Sequence, residues 1–286
     1  MKRVAVVGAG TMGHGIAQVA AMAGYDTTIT DLAPTSLSQA IDRIRANLEG
    51  GVKRGKLTHE HAAAAIDRIR SLDDLTAAVG GADLVIEAII ESPAAKRELF
   101  QQLDPVVDET TILATNTSSL SIAQLAESVT RPERVLGMHF FNPVHIMKLV
   151  ELVVHDRTSD ATIAAARTAV ERMGKDPIIV RDRPGFASSR LGIVLGLEAM
   201  RMVEEGVASP EDIDKAMELG YGHPMGPLRV SDVVGLDVRL AIAEYLHREL
   251  HGPWYAPPAI LRGKVEAGHL GKKTGKGFYE WPTKSS

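Results

Sequence analysis

The stretch Val4-Ala5-Val6-Val7-Gly8-Ala9-Gly10-Thr11-Met12-Gly13 decides the fold. Four apolar residues run straight into G-x-G-x-x-G, and a helix-patterned segment follows over 11–23 and stops at Gly24. A second β-type run over 27–30 then ends on Asp31, 23 residues after Gly8. The glycine pattern alone is weak. After an apolar strand, opening a helix, and with an acidic residue closing the next strand, it is the fingerprint of a Rossmann-type dinucleotide-binding unit. Gly8 permits the tight turn, Gly10 lets backbone approach a pyrophosphate, and Gly13 lets the helix pack close to the strand. The helix amino end favours phosphate through its N–H groups and dipole, so Gly8, Ala9, Gly10, Thr11, Met12 and Gly13 form the expected cradle. Asp31 would accept hydrogen bonds from the adenosine ribose hydroxyls and repel a 2′-phosphate, which predicts NAD over NADP.

Outward from that unit, strands and helices alternate. Charged helices are expected over 34–49 and 58–70, strands over 84–90, 111–114 and 135–140, and helices over 93–103 and 121–128. A strand over 149–154, a helix near 161–173 and a strand over 178–180 continue the sheet. This spacing predicts βαβ units and a mostly parallel sheet. After Asp182-Arg183-Pro184-Gly185 the strand signal stops, and helices are expected over 186–205, 210–219, 235–250 and 257–267. In the first of these, Leu191, Val194, Leu195, Glu198 and Met202 fall at helical spacing, and Ile193, Leu197 and Met200 add a second apolar row. The expected architecture is α/β: a Rossmann domain over 1–183 with a helical excursion after its second strand, then an all-α domain over 184–286. No repeat or low-complexity tract is present.

Composition sets the outer bounds. The 286 residues are 45% apolar and 24% charged, as in a globular protein of two domains, and the net charge of −4 offers no broad basic field for nucleic acid. There is no cysteine, hence no disulfide, thiolate nucleophile or cysteine-held zinc, and the ten histidines do not fall in metal-ligand spacings. No metal is expected. Met1-Lys2-Arg3 resembles the start of a signal peptide, but glycines at 8, 10, 13 and 15 interrupt the apolar run. The longest apolar helical stretch contains Arg190, Glu198 and Arg201, so no membrane span is expected, and a cytoplasmic protein is the plain reading.

Catalytic residues are expected where a strand ends in Met138-His139-Phe140-Phe141-Asn142-Pro143, because ligands of open α/β sheets sit at the carboxyl ends of strands. Glu151 follows twelve residues later on the next strand. A histidine backed by a carboxylate can take a hydroxyl proton while hydride leaves the same carbon. Read without its neighbours, a histidine at a strand end is more often structural.

Several further motifs occur in order with these: Glu87-Ala88-Ile89-Ile90-Glu91, Asn116-Thr117-Ser118-Ser119-Leu120, and Pro184-Gly185-Phe186. Gly222-His223-Pro224-Met225-Gly226-Pro227 and Gly271-Lys272-Lys273-Thr274-Gly275-Lys276-Gly277-Phe278-Tyr279 complete the series. On these the chain resembles, over essentially its whole length, the L-3-hydroxyacyl-CoA dehydrogenases, in particular the 3-hydroxybutyryl-CoA dehydrogenase type. The resemblance implies reversible oxidation of an L-3-hydroxyacyl-CoA by NAD, as in fatty-acid β-oxidation, with His139 as general base, Glu151 as its partner and Ser118 bonded to the reacting oxygen. It implies cofactor contacts at Asp31, Glu91, Lys96, Ser118, Asn142 and Lys273. Substrate contacts are implied at Ser118, at Asn47 and Arg54 in the excursion, and at Ser189. Ser189 stands where many members carry asparagine. Lys53, Arg54 and Lys56 suit the CoA phosphates, or else form an ordinary solvated helix end. Apart from the resemblance, Lys96 reads as a solvated helix residue and Ser118 as a turn or cap residue. Family members are typically homodimers through the helical region. A 3-hydroxyadipyl-CoA substrate, and a dehydrogenase of a non-CoA hydroxy acid, stand as alternatives. The latter typically use a lysine base where this chain has His139.

Overall fold

A computed structural model describes residues 1–282. The chain divides into two compact units, Met1–Arg183 and Pro184–Ser286. In the first, β1 (Arg3–Val7), α1 (Gly13–Met22), β2 (Asp26–Thr30), α2 (Pro34–Lys53), α3 (His59–Asp67), β3 (Ile69–Leu72) and α4 (Leu75–Val79) come first. They are followed by β4 (Leu84–Glu87), α5 (Pro93–Leu103), β5 (Ile112–Thr115), α6 (Ile122–Ala126), β6 (Val135–Phe140), β7 (Leu149–Val154), α7 (Asp160–Arg172) and β8 (Asp176–Arg181). The strands form one sheet in the order β3-β2-β1-β4-β5-β6-β7-β8. Every pairing is parallel except β6 with β7. The central strands β1, β4 and β5 are buried along almost their whole length, which is why they read as continuous apolar runs.

The first unit's core joins Val4 and Val6 of β1 to Ile16, Ala17 and Ala20 of α1 and to Ile44 and Leu48 of α2. Three elements depart from the sequence expectation, the short α4 being one that carries none. The helix expected over 58–70 ends at Asp67, and Ile69–Leu72 is instead an edge strand that pairs with β2 from Thr27↔Ile69 to Thr30↔Leu72. The strand expected over 84–90 stops at Glu87.

The second unit holds α8 (Ser188–Glu204), α9 (Pro210–Tyr221), α10 (Pro227–Val234), α11 (Leu236–Leu250) and α12 (Ala259–Glu266). Its core is Ile193, Leu197 and Met200 of α8 with Ile213, Leu228, Leu236, Ala243 and Leu246. The row beginning at Leu191 is therefore not the buried one, and Leu191 is 72% exposed. Both rows of α8 are apolar, so spacing alone could not choose between them; the row through Leu191 also carries the exposed Glu198. The short α10, capped by Gly226 with Pro227 in its first turn, lies in a glycine- and proline-rich stretch that carries no helical expectation. Among the described residues no helix is long and apolar enough to cross a membrane.

Candidate active site

The turn after β1 carries the geometry its glycines require. Gly8 has φ +104, a region open to glycine, and its N–H donates to Thr30 O across the β1–β2 ladder. A Cβ on Gly13 would stand 1.7 Å from Gly8 O, so only glycine lets α1 approach the strand this closely. At Gly10 a Cβ would meet nothing within 4 Å, which leaves open space beside the backbone at the start of α1. That is the room a pyrophosphate needs, and the residues present fit NAD. The Asp31 carboxylate accepts from Ala9 N at 2.8 Å and from Ala33 N at 2.9 Å. These bonds fix its direction, and each oxygen keeps capacity to accept a ribose hydroxyl.

Two hollows meet at this turn. One, of about 430 Å³, is lined by Gly8, Thr30, Asp31, Leu32 and Ile90 among others. The other, of about 500 Å³, is lined by Gly10, Glu91, Ser118, His139 and Asn142 among others. Gly10, Ala88, Ile89 and Ile90 line both, so a ligand as long as a dinucleotide has one continuous track across the carboxyl ends of β2, β1, β4 and β5.

In the second hollow β6 and β7 bring the histidine and glutamate together. These strands are antiparallel with His139 directly opposite Glu151, so the two side chains share a face. His139 Nδ1 lies 2.7 Å from Glu151 Oε2. The carboxylate is fully buried and the imidazole nearly so, at 7% exposure. The Phe141 ring packs 4.4 Å from the imidazole, centre to centre. Asn116 Oδ1 accepts from Phe140 N at 2.9 Å, which ties the end of β6 to the turn that carries Ser118.

A second set of polar groups borders the same hollow. Glu91 Oε1 accepts from Thr117 Oγ1 at 2.6 Å, from Ser118 N at 2.9 Å and from Ser118 Oγ at 3.3 Å. Glu91 Oε2 is 3.4 Å from Lys96 Nζ, which also sits 2.5 Å from Glu87 Oε1. Thr115 Oγ1 donates to the other Glu87 oxygen at 2.6 Å. Lys96 is therefore no solvated helix residue; it is 1% exposed and bridges two carboxylates. The sequence alone gives Glu87 no role. A signal was available: Lys96, Leu99, Phe100 and Leu103 recur at i, i+3, i+4 and i+7 along α5, which puts the lysine on the buried face and obliges it to find an acid.

The other expected residues make contacts of their own within each unit. Asn47 Nδ2 donates to Gln18 Oε1 at 3.0 Å, and Arg54 caps α2. Ser189 stands in the first turn of α8, half-buried, and Lys273 Nζ pairs with Asp237 at 2.5 Å, both within the second unit.

Residues 3–183 match the family model for the 3-hydroxyacyl-CoA dehydrogenase NAD binding domain, and residues 185–281 match that for the 3-hydroxyacyl-CoA dehydrogenase C-terminal domain. A 3-hydroxybutyryl-CoA dehydrogenase of Mycobacterium tuberculosis is 46% identical over 98% of this chain and 99% of its own. One from Bradyrhizobium diazoefficiens is 42% identical over 98% of this chain and 96% of its own. The crystal structure of (S)-3-hydroxybutyryl-CoA dehydrogenase from Ralstonia eutropha superposes with a TM-score of 0.95 at 41% identity, covering 99% of this chain and 100% of that one. With both domain models matched in sequence and relatives of this identity aligned end to end, the chain belongs to the 3-hydroxyacyl-CoA dehydrogenase family.

Proposed function

We propose that the protein interconverts a short-chain L-3-hydroxyacyl-CoA, 3-hydroxybutyryl-CoA above all, and its 3-ketoacyl-CoA. NAD, when bound, supplies the hydride acceptor. The observation that carries the reading is the 2.7 Å contact between His139 Nδ1 and Glu151 Oε2 beside a hollow that continues into the dinucleotide turn. With Nδ1 engaged by the carboxylate, Nε2 is the nitrogen that would take the substrate hydroxyl proton as the hydride leaves C3. Glu151 holds the ring's orientation and stabilises the imidazolium that forms, from a fully buried position where its charge counts. The Ser118 hydroxyl, lining the same hollow, would bond the reacting oxygen. Glu91 and Asn142 would border the nicotinamide end, and Lys96 would act on it through Glu91. Asn47 and Arg54 are assigned to CoA, Ser189 to the substrate oxygen and Lys273 to the cofactor on the strength of the family motifs.

The substrate class is tested by steady-state rates with NADH and acetoacetyl-CoA, longer 3-ketoacyl-CoAs, 3-oxoadipyl-CoA and free acetoacetate. We expect kcat/KM for acetoacetyl-CoA to exceed that for acetoacetate by more than about a hundredfold, since the CoA moiety contributes binding realised at the transition state. Equal values overturn the thioester reading, and a clear preference for 3-oxoadipyl-CoA replaces the short chain by a dicarboxylic one.

We also propose that the protein works in the cytoplasm as a homodimer through the second unit. Leu191, Leu219 and Tyr221 there are 72%, 85% and 78% exposed, an apolar surface that a second copy would cover. Sedimentation at micromolar concentration should give twice the 30.7 kDa chain mass, and a stable monomer refutes it.

A further inference from the structure

β4 ends on Glu87, a fully buried carboxylate to which the chemistry above gives no task. Its register partner on the neighbouring parallel strand is Thr115, whose hydroxyl donates to Glu87 Oε2 at 2.6 Å. The other oxygen accepts from Ile89 N at 2.7 Å and from Lys96 Nζ at 2.5 Å. Lys96 reaches it from the buried face of α5 and stands 3.4 Å from Glu91 Oε2. Glu91 Oε1 in turn holds Thr117 and Ser118. Three charged groups thus lie in a row, and exposure sets one apart. The side chains of Glu87 and Lys96 are 0% and 1% exposed, whereas that of Glu91 is 40% exposed. Of the three, it is Glu91 that lines the hollow with Ser118 and His139.

A buried lysine needs one acid beside it, and this one has two. An ion pair withdrawn from water rarely adds to stability, because desolvation offsets the attraction. The second acid therefore calls for another reason, and charge supplies one. With Glu91 as its only partner, Lys96 would cancel the carboxylate that borders the hollow. Glu87 lies closer, at 2.5 Å against 3.4 Å, so the ammonium is matched from the buried side and the row carries one net negative charge. In surroundings less polar than water such a charge acts across several ångströms.

The reaction proposed above moves a positive charge. The C–H and O–H bonds at C3 break, the hydride carries its two electrons to the nicotinamide, and the proton goes to His139 as the carbonyl forms. The ring passes from cationic to neutral while the imidazole passes from neutral to cationic. Hydride and proton leave one carbon and its oxygen, so ring and imidazole must face the same hollow. Glu151 serves the imidazole end of this exchange.

We propose that Glu87 is a positioning residue that keeps the Glu87–Lys96–Glu91 row at one net negative charge, so that Glu91 favours the oxidised, cationic ring. It acts through Lys96 and touches neither substrate nor cofactor. A carboxylate then stands at each end of the charge movement, Glu91 for the ring and Glu151 for the imidazole. The proposal rests on the dehydrogenase reading above and deepens it.

The test is the ratio of NAD⁺ to NADH dissociation constants of the full-length protein, with NADH followed by its fluorescence and NAD⁺ by competition. Glu87→Gln nearly keeps the shape. Its amide oxygen can still accept from Lys96 and Ile89, and its NH₂ faces a Thr115 hydroxyl that can turn to accept. The row becomes neutral. NAD⁺ affinity should fall about three- to tenfold while NADH affinity stays within about twofold. Loss of fastening alone would weaken both forms alike. Combining Glu87→Gln with Lys96→Gln removes both charges and returns the row to one negative charge. The ratio of the double variant should match wild type even where both affinities drop, and no unpaired ammonium remains to unsettle folding. A Glu87→Gln ratio equal to wild type overturns the proposal, as does a double variant displaced by about threefold or more. No thioester enters the measurement. An unmoved ratio in an enzyme that still reduces acetoacetyl-CoA removes only the task of Glu87. If wild type does not reduce acetoacetyl-CoA, the reading beneath it falls.

Discussion

Both units bury carboxylates, and they use them differently. In the first unit Glu87 and Glu151 are fully buried and face groups that carry charge or take a proton: Lys96 for one, with Thr115 and the backbone N–H of Ile89 beside it, and His139 for the other. In the second, Asp232 accepts from the backbone N–H groups of Phe278 and Tyr279 and from Trp281 Nε1, each within 2.9 Å. Asp214 likewise accepts from the backbone of Leu228 and Arg229 and from the Tyr279 hydroxyl. A backbone N–H cannot give up its proton, so such a carboxylate fastens chain to chain. A carboxylate facing an imidazole or an ammonium controls where a proton or a charge resides. The short aspartate suits the first task, because its oxygens stay near their own backbone. Burial and charge are alike in the two units; the donor type separates fastening from chemistry.

This contrast explains a motif that the resemblance ties to the cofactor. A Cβ on Gly277 would come within 2.1 Å of Asp232 Oδ1, and one on Gly271 within 2.3 Å of Asp232 O. The glycines of the 271–279 run are needed for the chain to wrap the aspartate. Burial together with the Asp214 carboxylate that its hydroxyl bonds pushes the Tyr279 phenol well above its usual range, which keeps it a donor at any physiological pH. Lys273 of that run faces outward and holds Asp237.

The contrast breaks most visibly at His139. His139→Gln should lower kcat by about 10²–10⁴-fold, the usual contribution of a general base, with NADH affinity and thermal unfolding close to wild type. A variant that keeps more than a tenth of wild-type kcat would place His139 among the fastening groups. Asp232→Ala should do the reverse. Three donors lose their acceptor, so urea unfolding followed by Trp281 fluorescence should report a loss of about 3 kcal/mol, while NADH affinity per folded molecule holds. An unchanged urea midpoint would mean that Asp232 fastens nothing. Ser189→Ala is expected to be the mildest, lowering kcat/KM roughly tenfold, about 1.4 kcal/mol, with NADH affinity intact. Equality with wild type across several acyl-CoA lengths would remove Ser189 from the substrate.

How much of this was legible follows from what each residue faces. β6, β7 and α5 were readable to the residue, because buried apolar runs and a proline-opened helix declare themselves locally. The edge strand Ile69–Leu72 was not, since its central Arg70 and Ser71 are exposed and its identity comes from pairing with β2. Its sequence carries no alternation to read. The pair His139–Glu151 was legible in topology because adjacent antiparallel strands offered the contact. The Glu87–Lys96–Glu91 chain was only half legible: the resemblance implies Glu91 and Lys96, whereas the acid that completes the lysine's environment shows itself only in three-dimensional packing. Gly15 and Val144 were invisible as a pair, 129 positions apart in the chain and joined only by the seating of a loop on a helix.

The antiparallel pairing of β6 with β7 has a practical meaning for anyone who would rebuild this enzyme. In a ladder of period two, sliding one strand by a single residue sends every side chain to the opposite face. His139 and Glu151 would then be parted by the thickness of the sheet, with the rest of the molecule hardly altered. On the mechanism proposed above, turnover therefore doubles as a gauge of alignment between these two strands. Conversely, the connection between them need not be of fixed length, because backbone ladder bonds, and not the loop, hold the pair in step. Its residues are constrained for other reasons: Asn142 lines the hollow, Lys175 binds the carbonyls of Val144 and Met147, and Val144 seats against Gly15 of α1.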